Sequence, residues 1–170
     1  MTMKRSKTRR DRGQALIEFA VALPIFLVMT LAVFDFGRVI WATTSLNAAA
    51  REGARFAIVH GGTQTDPCPV GPAGPDSNKN PDVSCVYPSP SKQYIYDTVR
   101  AAAIAGGSNI TVTACYGTGC SGNTDAAGAD NRRGTIVTVV VTSQINLVTP
   151  SLLGISSFTV SANSTMVVNH

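Results

Sequence analysis

One charged side chain interrupts a strongly apolar segment near the beginning of this sequence. Glu18 lies in the run from Ala15 to Phe34, which otherwise contains no charged residue. An ionised carboxylate in the hydrocarbon of a membrane costs about 2.5–3.5 kcal/mol even on the mildest insertion scales. We therefore expect Glu18 to have a partner of opposite charge, since a buried charge that is paired costs far less than an isolated one.

Cleavage of the chain between Gly13 and Gln14 would create such a partner. Gln14 would then carry a cationic α-amino group, and Glu18 would be the fifth residue of the mature chain. The two residues are one helical turn apart, so the geometry favours pairing between chains that are staggered in a helical stack. A small glycine and basic residues before the bond, with Glu18, Phe19 and apolar helix after it, form the substrate pattern of a prepilin peptidase.

The apolar segment is predicted to be a transmembrane helix over residues 14–35. From Gln14 to Phe34 its helical length is about 31 Å, which spans a bilayer core. Pro24 is predicted to kink the helix inside the span, and Trp41 to anchor it at the far membrane surface. A cleaved secretory signal is the alternative, but its apolar stretch is usually only about 7–15 residues long and ends at a small-residue site.

The charges are distributed very unevenly along the chain. The net charge is +4, and the first thirteen residues carry six basic side chains against Asp11, a balance of +5 that leaves −1 for the remainder. By the positive-inside rule, residues 1–13 are a basic cytoplasmic leader and the C-terminal part is extracytoplasmic. Because the folded part has no basic face, binding to nucleic acid is not expected.

The helix is predicted to continue beyond the membrane over residues 36–60. Small residues form a packing face on this part, and they are Ala50, Gly53, Ala54 and Ala57. Such a face allows the close approach of another helix. It could equally pack against the strands of its own domain, and the sequence leaves both alternatives open. Asp35 and Arg38, at the far membrane edge, are predicted to form a local helix pair or to bond a neighbouring subunit.

Residues 61–90 are predicted to form an exposed loop rich in proline and glycine. The four cysteines of the chain, Cys68, Cys85, Cys115 and Cys120, all follow the membrane span, where an oxidising compartment favours disulfides. Of the three possible connectivities we favour Cys68–Cys85 and Cys115–Cys120, since the members of each pair are near in sequence. A zinc site would require closer cysteines or suitably placed histidines, and none is predicted.

Residues 91–170 are predicted to form an α-β-β-β domain. "SPSKQYIYDTVRAAAIAG" has helical periodicity, with Ser91 as the predicted N-cap. The runs "NITVTACY", "RGTIVTVVVTSQINLVT" and "SSFTVSANSTMVVN" are strands by their alternation and β-branched residues, and "TPSLLGI" between the last two is a loop. The predicted fold class is α+β, in which a short helix packs on a small antiparallel sheet of about three strands.

No catalytic constellation can be assembled from these residues. The sequence contains no phosphate-binding loop, no paired catalytic carboxylates and no nucleophile with a recognisable base. His60 and His170 are the two histidines, and they are predicted to be a polar residue at a helix end and a terminal residue. We therefore predict a protein that is not an enzyme and has no cofactor, metal or small-molecule substrate.

Two stretches carry a resemblance to a known family. "RGQALIEFAVALPIFLVMTLAVFDFGRVI" and "LNAAAREGARFA" resemble the N-terminal signature of TadE-like proteins, which are minor pseudopilins of the Tad/Flp branch of the type IV pilus systems. The resemblance implies a pilin-like, single-pass protein of the bacterial inner membrane that assists pilus assembly and thereby surface adhesion. It also implies processing by a prepilin peptidase after Gly13, with Glu18 as the pilin glutamate, and contacts with other Tad/Flp pilins and assembly proteins.

Two functions of other classes remain as alternatives. The chain could be a signal-anchored periplasmic binding module unrelated to pili, in which case Glu18 would be incidental. It could also be a secreted enzyme whose site the sequence does not reveal.

Overall fold

The first element is a single long helix, α1, which covers Arg9–Val59 and has 51 residues. The computed structural model describes residues 9–61, 68–72, 85–87, 90–105, 109–152, 154 and 157–169. At 1.5 Å per residue, α1 is about 77 Å long. It continues through Pro24 and past Asp35 without a break, so the predicted span and its predicted continuation belong to one helix.

The C-terminal part contains two short helices and three strands. The elements are α2 (Gln93–Ala102), β1 (Ile110–Tyr116), β2 (Ile136–Ile145), α3 (Val148–Leu152) and β3 (Phe158–Val167). The strands form one antiparallel sheet in the order β1-β2-β3. In its middle, Val140 of β2 lies between Thr113 of β1 and Asn163 of β3. The predicted α+β class, with a short helix and a small antiparallel sheet, is therefore confirmed.

The hydrophobic core lies between one face of the sheet and the two longer helices. Alternate residues of β2, including Val137, Val139 and Val141, are fully buried, as are Ile95 and Val99 of α2. This alternation is the pattern of a strand with one covered face. The uncovered face is rich in threonine, including Thr113, Thr138 and Thr165.

Two local predictions differ from the structure. The N-cap of α2 is Lys92 and not Ser91, although the Ser91 hydroxyl accepts a hydrogen bond from the Gln93 N–H at 3.1 Å. The segment predicted as a loop around Pro150 is instead the helix α3. The expected loop was wrong because the first turn of this helix is stabilised by a side chain from a remote element, as described below.

Several predictions fall on residues outside the described ranges. These include residues 1–8 of the basic leader, most of the loop 61–90, and His170. All four cysteines lie in the described ranges, and the structure contains both favoured disulfides. They are Cys68–Cys85, with Cα atoms 5.7 Å apart, and Cys115–Cys120, with Cα atoms 5.8 Å apart. The exact boundaries of the leader, span and loop stay predictions.

Candidate functional site

The N-terminal part of α1 projects away from the sheet domain and exposes its apolar side chains. The segment that is long and apolar enough to cross a membrane begins at Gly13. None of its most apolar stretch of 18 residues is buried against the rest of the protein. Phe19, Phe26 and Phe34 are each more than three-fifths exposed. So much exposed apolar surface on one helix is typical of a membrane span. By length and composition, α1 is thus a candidate for a single membrane crossing.

Glu18 is exposed on this apolar surface. Among the residues that the structure describes, no side chain or backbone group forms a hydrogen bond or ion pair with its carboxylate. Phe19, the next residue, is also exposed. Before Glu18, Gly13 lies in the helix with open space around its Cα, since a Cβ added there would meet no atom within 4 Å. The predicted processing residues Gly13, Gln14, Glu18 and Phe19 are therefore all accessible from outside the chain.

The small-residue face of α1 packs inside the protein. Ala50, Ala54 and Ala57 are fully buried, and a Cβ on Gly53 would lie 2.3 Å from the Val99 Cγ2 atom of α2. The sequence left two alternatives open for this face, another helix or the strands of its own domain. In the structure the face packs on the sheet and on α2 of the same chain. The small side chains allow the backbone of α1 to approach its own domain closely.

Asp35 joins the end of the apolar segment to the sheet domain. Its carboxylate is buried, with 6% of the residue exposed. It accepts hydrogen bonds from the backbone N–H of Val148 at 3.2 Å and of Thr149 at 2.6 Å. These are the first two residues of α3, and the third, Pro150, has no N–H to satisfy. A carboxylate at a helix N-terminus is favourable both as an acceptor and as a charge.

This contact was not predicted from the sequence. The spacing of Asp35 and Arg38 predicted a local pair or a bond to a neighbouring subunit, but the Asp35 carboxylate accepts its hydrogen bonds from residues more than a hundred positions later. Pro150 was the available signal, since proline is common near the start of helices. No local pattern identifies which side chain caps such a helix. Arg38 is exposed on the surface of α1.

An apolar groove lies beside Asp35, between α1 and the end of the sheet. It is lined by residues of α1, of the β2–β3 connection and of β3, and they are Ala32, Asp35, Phe36, Val39, Leu147, Thr149 and Phe158. Trp41, the predicted interface anchor, is two-thirds exposed about one and a half turns beyond Asp35. The groove is thus at the predicted boundary between the membrane and the domain.

The opposite end of the domain contains a polar cluster. Lys92 Nζ lies 2.7 Å from Asp125 Oδ1 and donates to the carbonyl oxygen of Ala114 at 3.0 Å. The same Asp125 oxygen accepts the Tyr116 N–H at 2.8 Å. The cluster connects α2, β1 and the β1–β2 connection, and its hydrogen bonds satisfy its charges within the chain. The Lys92–Asp125 ion pair therefore has a structural role, because it holds α2 and the β1–β2 connection against β1.

Neither this cluster nor His60 forms a catalytic arrangement. His60 stacks on Phe56 with ring centroids 4.1 Å apart, and its Nδ1 lies 3.0 Å from the Phe56 carbonyl oxygen. Burial raises the pKa of the Tyr116 and Tyr96 hydroxyl groups still further above neutral pH, which disfavours a role for either as a proton acceptor. In the described part of the chain, no group of three metal-ligating side chains could hold an ion.

Comparison with known proteins gives a match in the N-terminal helix. The family model described as TadE-like protein matches residues 13–55. The match begins at Gly13 and ends shortly before α1 does, so the sheet and α2 lie outside it. No curated protein and no solved structure matches the chain significantly. The family match supports a Tad pilus-associated role in general. It confirms the resemblance seen in the sequence, because the N-terminal helix of this protein is similar to that of TadE-like proteins.

Proposed function

We propose that this protein is a pseudopilin or membrane-anchored assembly factor in Tad/Flp pilus biogenesis, and thereby contributes to surface adhesion. The observation that carries the proposal is the family match over residues 13–55, which begins at the glycine of the proposed processing site. In this proposal the protein is a single-pass protein of a bacterial inner membrane, with residues 1–13 in the cytoplasm. It acts through helix packing and contacts with other Tad/Flp pilins and assembly proteins, without catalysing a reaction.

Glu18 is the proposed subunit-pairing residue. Its carboxylate is exposed on an apolar helix and has no partner within the described chain. The α-amino group of Gln14 in a neighbouring processed chain would compensate this charge, and the pair would draw the two helices into a fixed stagger. The charge therefore disfavours an isolated helix in the membrane and favours a packed one. This difference in stability supplies both the driving force and the register for assembly.

Prepilin peptidase is the proposed enzyme that releases the amino group. The open surroundings of Gly13 suit a bond that must enter the active site of another protein. The experiment that tests this step is mass analysis of the N-terminus after extraction of the full-length protein from membranes with and without the peptidase. We expect a chain that begins at Gln14 only when the peptidase is present.

Gly13→Leu is the matched control for processing. Because a Cβ at this position meets no other atom, the substitution alters recognition without altering the fold. The variant should keep its leader in the presence of the peptidase. An intact wild-type leader, while a known pilin in the same cells is processed, would contradict the processing step. An uncleaved anchored assembly factor or the periplasmic binding module would then be favoured.

The pairing step has a separate test. Glu18→Ala and Glu18→Gln should both fail to support pilus assembly, and mass analysis of the N-terminus in the same cells separates a loss of pairing from a loss of processing, since a chain that begins at Gln14 has been processed. Glu18→Asp keeps the charge and should retain part of the function. Normal pili on cells with the Glu18→Ala variant would show that the carboxylate does not pair subunits.

A further inference from the structure

The hydrogen bonds of Asp35 fix the height of the sheet domain relative to the membrane span. Asp35 is the first charged residue after the uncharged stretch from Phe19 to Phe34, so it lies where the span reaches the membrane surface. Its carboxylate holds the first turn of α3 at that same level through the N–H groups of Val148 and Thr149. The end of the domain that contains α3 must therefore lie at the membrane surface if α1 spans the membrane as proposed.

The residues at this end of the domain are apolar or uncharged. We define the base as residues 109–111, 143–149 and 157–159, which contain no charged side chain. Val148 and Phe158 of the base are 46% and 49% exposed. In water about half of each of these two apolar side chains would stay uncovered. The charged residues of the cluster around Lys92 and Asp125 lie at the other end of the sheet.

The apolar surface of the base continues directly into that of the span. Ala32 of the span, one turn before Asp35, lines the same groove as Leu147 and Phe158 of the base. Phe36 of α1 also lines this groove, and its side chain is two-thirds exposed. Since lipid covers the span below this level, the same lipid is adjacent to the groove. A partner protein would have to displace lipid to reach it.

We propose that the base of the sheet domain is a membrane-contact surface, and that lipid acyl chains of the outer leaflet occupy the groove beside Asp35. Amide side chains around it, such as those of Asn109, Gln144 and Asn146, lie at the level of the headgroups. The contact rests on the proposed membrane anchoring but goes beyond it. It fixes the orientation of the sheet above the membrane, and the domain must release these lipids before it can leave the bilayer.

Fluorescence quenching by brominated lipids tests this contact in the full-length chain. Trp41 is the single tryptophan, so Trp41→Phe provides a background without tryptophan. In this background, Phe158→Trp and Val148→Trp place probes in the base. Val167→Trp is the matched control, because Val167 is 46% exposed on the same strand and about 30 Å from Phe158 at 3.3 Å per residue. Phe26→Trp reports on the span.

Each variant is reconstituted in phosphatidylcholine vesicles with and without bromine on the acyl chains, and its fold is checked by circular dichroism. We expect a large loss of emission from the Phe26→Trp variant, a smaller but clear loss from the two base variants, and none from the Val167→Trp variant. Quenching of the span probe without quenching of either base probe would overturn the membrane contact and leave the anchoring intact. Lack of quenching of the span probe would overturn the anchoring and the contact together.

A second copy of the chain is the competing occupant of the groove. In that case the emission of the Phe158→Trp variant would shift to shorter wavelength as the protein-to-lipid ratio rises, with no quenching by bromine. That outcome would overturn the lipid contact. Quenching that does not change with the protein-to-lipid ratio supports it.

Discussion

At the scale of single residues, Tyr116 is the largest side chain that the protein buries completely among the residues described. Its ring lies against Gly71, whose φ of +133° and close approach leave no room for a Cβ. Its hydroxyl group has no hydrogen-bond partner within the described part of the chain. A buried hydroxyl without a partner loses its hydration and gains nothing in return. The apolar part of Tyr116 therefore stabilises the core, while its hydroxyl destabilises it.

We predict that Tyr116→Phe raises the free energy of unfolding by about 1 kcal/mol. The advantage should grow above pH 10, because burial raises the pKa of Tyr116 above its usual value of 10.0. The unfolded wild-type chain then loses a proton that the folded chain retains, so wild-type stability falls as the pH rises. Urea unfolding at neutral and alkaline pH in detergent measures both effects.

Tyr94→Phe is the control for this prediction. The Tyr94 hydroxyl accepts the Tyr87 N–H at 3.0 Å, so its removal should lower the free energy of unfolding by about 0.5–1.5 kcal/mol. A loss of stability in Tyr116→Phe as large as that in Tyr94→Phe would contradict the assignment of an unpaired hydroxyl.

Asp35 gives a second prediction at the residue scale. Asp35→Ala should expose the Val148 and Thr149 amides to hydrogen exchange and cost about 1–3 kcal/mol, since both N–H groups lose their acceptor. Asp35→Asn retains one oxygen acceptor and should have an intermediate effect. Arg38→Ala should change little, because an exposed charge contributes little to stability. Equal exchange in the Asp35→Ala and Arg38→Ala variants would contradict the capping role.

At the scale of elements, the two glycines that follow Asp35 in α1, Gly37 and Gly53, have opposite surroundings. A Cβ on Gly53 would lie 2.3 Å from Val99 Cγ2, whereas a Cβ on Gly37 would meet no atom within 4 Å. Gly53 is therefore required by the packing of α1 on α2. At Gly37 no contact within the described chain requires the absence of a side chain, and glycine there only weakens the helix.

We predict that Gly53→Ala lowers the thermal unfolding temperature and costs about 1–3 kcal/mol by overpacking, beyond its gain in helix propensity. The matched variant Gly37→Ala should be neutral or more stable by up to about 1 kcal/mol. Calorimetry or circular dichroism of the two proteins in the same detergent gives the comparison. If both substitutions raised the unfolding temperature, the close contact between α1 and α2 would be wrong.

The elements also differ in how well the sequence predicts them. The strands and α2 follow from periodicity, because each has one covered face and one open face. Helix α3 was missed because its first turn depends on Asp35, a residue 113 positions before Val148. Similarly, the alanine face around Ala54 is compatible with an intermolecular or an internal contact, and only the tertiary packing distinguishes the two. For the candidate site, the pattern from Gly13 to Phe19 could be found from the sequence because it is local.

At the scale of the whole molecule, the chain consists of two parts that require different surroundings. The sheet domain has its own buried hydrophobic core. It contains the two disulfides Cys68–Cys85 and Cys115–Cys120, and disulfides form in oxidising compartments. The first part of α1 buries none of its most apolar window and requires lipid or other helices. If α1 spans the membrane as proposed, membrane orientation and disulfide formation are coupled, since the cysteines meet an oxidising environment only when the domain is translocated.

Replacement of the basic residues before the apolar segment tests this coupling. In the proposed orientation, six of them hold the N-terminus in the cytoplasm by the positive-inside rule, and they are Lys4, Arg5, Lys7, Arg9, Arg10 and Arg12. Their replacement by serine and glutamine should leave part of the protein with its domain in the reducing cytoplasm. Those molecules should have four thiols that react with a maleimide-polymer tag in denaturant, whereas wild-type chains should react with none. A leader with lysine and arginine exchanged for each other keeps the charge and should behave like the wild type. Tagged thiols in the wild-type protein would contradict the extracytoplasmic location, because the disulfides that close the domain would then be absent where it resides.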